Sequence, residues 1–203
     1  MKELKMKIKD FLTSHGDKIK EFLKIFTVVF ALNLFLLSFV NLITNGTETD
    51  VFYGGDTPRV LQDMTMQEGL HYRTSVQPLI VILTKPFLRI LALDTGVIVA
   101  AVIFEAAVGA ISATLFYRLM QKLGASKKTG LLATVILVLS FTQVSFNSIF
   151  ETYVFSQFGL MVMWVIAAGL IDKKLELKDY ALLVIAGIFS LAFTLTNIVQ
   201  FLI

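Results

Sequence analysis

The residues best suited to chemistry lie in a polar segment, residues 45–75, of an otherwise mostly apolar chain. At its centre, Asp56 follows two glycines and precedes Thr57-Pro58. Glycine permits positive φ or the close approach of a ligand, and proline is favoured in the first turn of a helix. A carboxylate at this point suits a general base or a metal ligand. It equally suits a helix N-cap, where Asp is a preferred residue.

A second carboxylate, Glu151, is the only charged residue between Lys128 and Asp172. It stands beside Tyr153, at the junction of two apolar runs. A carboxylate in such a place is partly desolvated, which suits proton transfer or hydrogen bonding to a ligand. The alternative is an ordinary interfacial acid in contact with water.

A third carboxylate, Glu105, lies near the middle of an apolar run. At helical spacing it shares a face with Ala101, Gly109 and Ser112. Small residues on one face favour close packing of helices. We expect Glu105 to make a structural hydrogen bond to a neighbouring helix, and a proton relay is the alternative.

Cationic and basic residues gather in and after the polar segment. Arg73 lies inside it, and Lys85 and Arg89 follow in the next apolar stretch. Such cations suit a lipid phosphate or pyrophosphate, although ordinary snorkelling explains them equally well. His71 is the one other residue of the segment that competes with Asp56 as a base.

Uncharged polar residues are also concentrated, at the ends of two apolar runs. They are Thr142, Gln143, Ser145, Asn147, Thr194, Thr196, Asn197 and Gln200. Polar groups that converge at one depth favour a cavity over exposure to lipid. We therefore predict one cavity lined by Asp56 and Glu151, with Arg73 and either Lys85 or Arg89 near its mouth.

The elements that must position these residues follow from composition. Of 203 residues, 56% are apolar and 16% charged, and the mean hydropathy is +0.78. A soluble domain has about 25% charged residues. The chain is therefore expected to be an all-α, polytopic membrane protein. It has no cysteine and two histidines, which excludes disulfides and thiolate chemistry, and no motif indicates a nucleic-acid partner.

The apolar runs predict about five transmembrane helices. A basic amphipathic tail, 1–24, precedes a transmembrane domain, 25–203, whose outer loop is 44–75. The predicted spans are Ile25–Ile43, Thr95–Tyr117, Leu131–Val144, Val154–Ile171 and Tyr180–Ile203. The loop is expected to carry an interfacial helix, Val60–Leu70, with Val60, Leu61, Met64 and Leu70 toward lipid.

Charge distribution predicts the orientation. The loop Arg118–Lys128 has four basic residues and no acid, and Asp172–Asp179 has three lysines. The positive-inside rule places both on the cytoplasmic side with residues 1–24. This requires that Val76–Leu93, which contains Lys85 and Arg89, does not cross. Asn45–Ser75 and Glu151 are then outside. An apolar run that ends at Ile203 without a polar tail suggests a longer protein whose C-terminal half is missing.

The layout resembles the GT-C type of membrane glycosyltransferase from about Ile25 to Phe193. The resemblance rests on the first span, the outer loop with its Asp, and three short stretches. These stretches are His71-Tyr-Arg-Thr-Ser-Val-Gln-Pro78-Leu, Lys85-Pro86-Phe87 and Phe150-Glu151-Thr152-Tyr153. Members of this type usually have many more spans and often a soluble C-terminal domain.

The resemblance implies inverting transfer of a sugar from a polyprenyl-phosphate donor on the outer face of the cell membrane. The matching positions make Asp56 the general base on the acceptor hydroxyl. Glu151 assists substrate binding or holds a divalent cation such as Mg²⁺ or Mn²⁺ in members that use one; otherwise no cofactor is implied. His71, Arg73, Lys85, Arg89 and Tyr153 are the further substrate-binding candidates.

Two other functions compete with this interpretation. One is a non-enzymatic membrane subunit that binds lipid or scaffolds a partner. The other is part of a transporter with Glu105 in its pathway. Transporters tend to place polar groups and broken helices at the midplane. The sequence instead predicts that the polar groups gather at the outer face.

Overall fold

The computed structural model describes residues 2–44, 60, 77 and 80–202, and for 2–15, 40–44, 94, 95 and 201 it describes the backbone alone. All regular structure in these residues is helical. The elements are α1 (Lys2–Thr44), α2 (Ile80–Thr95), α3 (Val97–Lys122), α4 (Lys127–Val138), α5 (Phe141–Phe146), α6 (Tyr153–Ala168), α7 (Leu177–Phe193) and α8 (Ile198–Leu202). A 3-10 turn, Leu195–Asn197, joins α7 to α8.

Helix α3 is the centre of the fold, because α1, α2, α4 and α6 all pack against it. Its buried surface is made largely of small residues: Ala100, Ala101, Ala106, Gly109, Ala110, Ser112 and Ala113. Small residues let helix backbones approach closely. Helix α7 completes the bundle by packing on α6.

Side-chain contacts define how the long helices run. The Tyr117 hydroxyl donates to Glu21 Oε1 at 2.7 Å, and Asn33 Nδ2 donates to the carbonyl of Ala106 at 3.4 Å. Helices α1 and α3 are therefore antiparallel. At 1.5 Å per residue, the level of Asn33 lies about 18 Å from the level of Glu21. We call the end of the bundle at Glu21 the basic end.

Helix α2 forms a hairpin with α3 through Gly96. This glycine has φ 80°, a left-handed conformation that glycine adopts without steric cost. Its N–H donates to the carbonyl of Ala92 at 3.2 Å. Phe87 stacks on Phe104, with ring centroids 5.9 Å apart, so the two arms lie side by side.

The predicted span Leu131–Val144 is wrong in its continuity. Helix α4 has 12 residues, about 18 Å, and ends before Ser140. The Ser140 side chain accepts a hydrogen bond from the Gln143 N–H at 3.3 Å and so caps α5. A serine that can satisfy a helix N-terminus competes with continuation of the preceding helix. The run thus forms two separate helices, α4 and α5, and the Ser140 cap begins the second of them.

The predicted span Tyr180–Ile203 is also interrupted. Helix α7 ends at Phe193, and Thr194 has the extended conformation φ −159°, ψ 138° before the 3-10 turn. The run Val154–Ile171 corresponds to α6, an apolar helix of 16 residues. Among the described residues, two helical stretches, Gly16–Phe39 and Val97–Lys122, are long and apolar enough to cross a bilayer.

Two other expectations need correction. The basic tail and first span form one uninterrupted helix, α1, of 43 residues. Val60 does not face lipid, because it is 2% exposed and belongs to the same buried apolar cluster as Leu37, Ile80 and Phe150. The rest of Val60–Leu70 lies outside the described residues.

Candidate functional site

The turn between α5 and α6, residues 147–152, brings Glu151 next to Glu105 of α3. We call it the acidic turn. The two side chains belong to residues that are 2% and 4% exposed. Glu105 Oε1 accepts the backbone N–H of Glu151 at 3.3 Å, and Glu151 Oε2 accepts the N–H of Thr152 at 3.1 Å. The expected structural hydrogen bond of Glu105 is confirmed, although its partner is the backbone of a turn.

The turn forms because its polar backbone groups find nearby partners. Helix α5 ends at Asn147, whose N–H donates to the Gln143 carbonyl at 2.9 Å, and Ser148 Oγ donates to the Ser145 carbonyl at 2.8 Å. A buried backbone N–H without a partner is costly. Glu105 supplies the acceptor for the N–H of Glu151 and thereby fixes where α6 begins.

The two acids lie at one level, which corrects the predicted separation between a mid-span Glu105 and a surface Glu151. Glu105 is eight residues inside α3, about 12 Å from its first residue. Glu105, in the first half of α3, contacts Glu151 just before α6. At the end of α6, a Cβ added to Gly169 lies 2.6 Å from Nζ of Lys122, the last residue of α3, so α3 and α6 run parallel. The acidic turn is therefore level with the interior of α3.

A buried amide pair lies at the same level. Asn147 Nδ2 donates to Asn33 Oδ1 at 3.2 Å. The pair fits only because α3 has Gly109 there, since an added Cβ lies 2.7 Å from Asn33 Nδ2 and 3.2 Å from Asn147 Oδ1. The pair ties α1, α3 and the end of α5 into one polar layer with the acidic turn.

Further amides around the start of α6 complete this layer. Gln143 and Gln157 exchange hydrogen bonds of 3.0 and 2.9 Å. Asn197, just after α7, donates to both oxygens of Ser190 at 3.1 Å and accepts from Ser156 Oγ at 3.1 Å. The breaks at Ser140 and Thr194 bring these side chains to α6. The buried Ser145 hydroxyl has no hydrogen-bond partner among the residues that the structure describes.

A cleft of about 280 Å³ opens beside the amides. It is lined by Thr142, Gln143, Phe146, Tyr153, Val154 and Gln157. Tyr153 is half-exposed, and its ring lies 4.5 Å from that of Phe146, centroid to centroid. The predicted site residue Tyr153 thus reaches the surface next to the acidic turn.

The structure places the predicted cations Lys85 and Arg89 on α2. Lys85 is half-buried, and Arg89 is exposed in a small cleft with Leu88, Leu93 and Val97. That cleft shares no residue with the one beside Tyr153. The predicted residues Asp56, His71 and Arg73 lie outside the described residues.

Gln77 is a contact that the sequence did not predict. It is 8% exposed, and its Nε2 donates to the Thr152 hydroxyl. Gln77, which follows the polar segment, therefore contacts the acidic turn. Asn33 was also missed. A single amide in an apolar stretch indicates a buried hydrogen bond, but the sequence does not show its partner, because that partner is distant in the chain.

No group of three His, Cys, Asp or Glu lies close enough to hold a metal ion among the described residues. Two of the carboxylate oxygens at the acidic turn are already engaged by backbone N–H groups.

Comparisons with protein-family models, curated proteins and solved structures find no match to this chain.

Proposed function

We propose that the chain is a multi-pass membrane protein of the GT-C type, which transfers a sugar from a polyprenyl-phosphate donor at the polar layer. Asp56 is its general base and Glu151 its second acidic group. The two apolar helices long enough to span a bilayer support a membrane location. One observation carries the proposal: Gln77, which follows the polar segment and precedes α2, donates a hydrogen bond to Thr152, the residue after Glu151.

Val60, the described residue of the polar segment, belongs to the same buried apolar cluster as Phe150, the residue before Glu151. Three residues stand between Val60 and Asp56, so the two Cα atoms are at most about 14 Å apart. This limit supports the choice of Asp56 as the base for a substrate held at Glu151.

The hydrogen bond from Gln77 to Thr152 is the contact on which the proposal rests. It places Gln77, three residues before α2, at the acidic turn. Lys85 and Arg89 follow on α2 itself. The proposal therefore draws the cations for the donor phosphate from this part of the chain.

The chemistry needs few groups. Asp56 accepts the proton of an acceptor hydroxyl as its oxygen attacks the anomeric carbon of the donor sugar. The bond from that carbon to the phosphate oxygen breaks, and polyprenyl phosphate leaves with the bonding electrons. A cation near the phosphate, from Arg73, Lys85 or Arg89, stabilises the charge that develops on it.

The depth of the polar layer is compatible with this chemistry. The layer lies about 18 Å from the basic end, within a hydrocarbon core of about 30 Å. Polar groups and broken helices are tolerated at such a depth only where they are buried in protein or line a cavity. With the basic end in the cytoplasm, the layer falls in the outer half of the bilayer.

The test is donor turnover by the purified chain reconstituted in lipid vesicles. A panel of polyprenyl-phosphate sugars is supplied with the host's surface polysaccharide as acceptor, and release of polyprenyl phosphate is measured. We expect one donor to be consumed, and Glu151→Gln to lower the rate. If no donor is consumed and none is retained on purification, the non-enzymatic scaffold function replaces this proposal.

A further inference from the structure

Two clefts between α1 and α4 join at the basic end. The first is polar, about 470 Å³, and the second is apolar, about 380 Å³. Lys24, Ile25 and Leu131 line both of them. They therefore form one groove whose chemistry changes along its length, and we call it the α1–α4 groove.

The polar part of the groove has an excess of cations. Four lysines line it, Lys20, Lys24, Lys127 and Lys128, against the acids Asp17 and Glu21. Glu21 is already engaged, since it accepts the Tyr117 hydroxyl at 2.7 Å and lies 3.5 Å from Lys127 Nζ. The remaining positive charge suits an anion, and an ammonium group binds a phosphate as a point charge.

The apolar part runs from the lysines toward the middle of the bundle. On α1 it extends from Ile25 to Leu32, about 10 Å, and on α4 from Leu131 to Leu139, about 12 Å. Its walls are aliphatic apart from Thr134 and the Lys24 side chain that it shares with the polar part. Val28, Val135 and Leu139 leave much of their apolar surface uncovered by protein.

We propose that the α1–α4 groove binds one anionic phospholipid of the leaflet at the basic end. Its phosphate lies among Lys20, Lys24 and Lys128, and one acyl chain lies along the apolar part. Charge complementarity and the order of the two parts, anionic head at the surface and chain toward the core, support this occupant. The inference uses the membrane placement proposed above, and the choice of a phospholipid over the polyprenyl-phosphate donor also uses the proposed transferase site.

A phospholipid fits this groove better than the polyprenyl-phosphate donor. The polar part of the groove is at the basic end, and Glu21 in it lies about 18 Å from the level of the acidic turn along α1. The donor phosphate must meet Asp56 and Glu151, and it cannot do so from that position. The apolar part also ends after two to three helical turns, which accommodates an acyl chain segment.

The test is a lipid titration of the purified full chain, read by native mass spectrometry. The probes are dioleoylphosphatidylglycerol, dioleoylphosphatidylcholine and undecaprenyl phosphate. We expect phosphatidylglycerol to bind most tightly. Lys20→Gln with Lys24→Gln should weaken it roughly tenfold to thirtyfold, because each lysine near an anionic lipid contributes about 1 kcal/mol. The matched control, Lys173→Gln with Lys174→Gln, removes equal charge from another loop and should leave phosphatidylglycerol binding unchanged.

A second pair of variants tests the apolar part. Val135→Phe fills the groove and should reduce phosphatidylglycerol binding severalfold. Val184→Phe, at a similarly exposed valine on α7, should not. Equal binding of phosphatidylcholine, tighter binding of undecaprenyl phosphate, or no difference between the two phenylalanine variants would overturn the proposal. Sugar transfer is measured separately, so its presence or absence does not bear on this result.

Discussion

Glu105 shows how one side chain can set the geometry of a distant turn. Its Oε1 accepts the N–H of Glu151 from another part of the chain, and both residues are buried. Because that N–H has no helical partner before α6, the carboxylate determines the position of Glu151. Glu105 is thus a positioning residue for the proposed site.

Two substitutions of Glu105 distinguish its role as a hydrogen-bond acceptor from any effect of its negative charge. Glu105→Gln keeps an oxygen that can accept the N–H, so we expect nearly unchanged stability. Glu105→Leu removes the acceptor and should lower the free energy of unfolding by about 1–3 kcal/mol. Denaturation of the purified protein in mild detergent, followed by circular dichroism, measures both. Equal stability of the Leu and Gln variants would show that the hydrogen bond contributes little.

Asp56 is the residue on which the proposed reaction depends. Asp56→Asn preserves size and N-cap capacity but removes the base, so turnover should fall roughly 10²-fold or more. Asp50→Asn, in the same segment, is the control and should retain activity. His71→Gln should cost less than Asp56→Asn. Near-normal transfer of sugar by the Asp56→Asn protein would remove Asp56 from the mechanism.

At the scale of elements, breaks in apolar runs bring polar side chains to α6. The Ser140 cap separates α4 from α5, and the extended Thr194 separates α7 from the 3-10 turn. Without these breaks, Gln143 and Asn197 would not meet Gln157 and Ser156. Close packing of α6 on α7 through Gly159 holds the arrangement together.

Gly159 is a direct test of that packing. A Cβ there lies 2.9 Å from Phe193 Cδ2 and 3.0 Å from the Cα of Ser190, so the α7 backbone must move. Gly159→Ala should destabilise the protein by about 1–3 kcal/mol. Gly16→Ala is the control, because nothing lies within 4 Å of its added Cβ and alanine favours the helix by about 0.5–1 kcal/mol. The midpoint temperature of thermal denaturation should therefore fall for Gly159→Ala and rise for Gly16→Ala.

At the scale of the whole molecule, one end of the bundle collects positive charge. Arg118 donates to the carbonyl of Lys18 at 2.7 Å, and Lys127 lies beside Glu21. Residues 18–21 of α1 and the connection from α3 to α4 therefore share one end, as the positive-inside rule predicts for two cytoplasmic segments.

Single cysteines in this cysteine-free chain test the orientation. Ser126→Cys, in the basic connection, should resist an impermeant thiol reagent in intact cells and react after permeabilisation. Thr47→Cys, in the polar segment, should react in intact cells. Mass spectrometry of the labelled protein gives the extent of reaction. Labelling of Ser126→Cys from outside would reverse the proposed topology.

The sequence alone determined the helical class, the apolar runs and the charged end. These properties depend on composition and on residues near each other in the chain. Hydropathy also located the apolar second half of α1 and most of α3, because both stretches are long and rich in apolar residues. The sequence also favoured a structural hydrogen bond over a proton relay for Glu105, because small residues on its helix face favour close packing.

Only the tertiary structure decided where the runs break and which polar groups meet. A serine that caps a helix and one that merely sits in it look alike in sequence, and hydropathy does not distinguish them at Ser140. The pairs Glu105–Glu151, Asn33–Asn147 and Gln77–Thr152 join residues far apart in the chain. Their partners are selected by the packing of helices around α3, which depends on all of the buried side chains together.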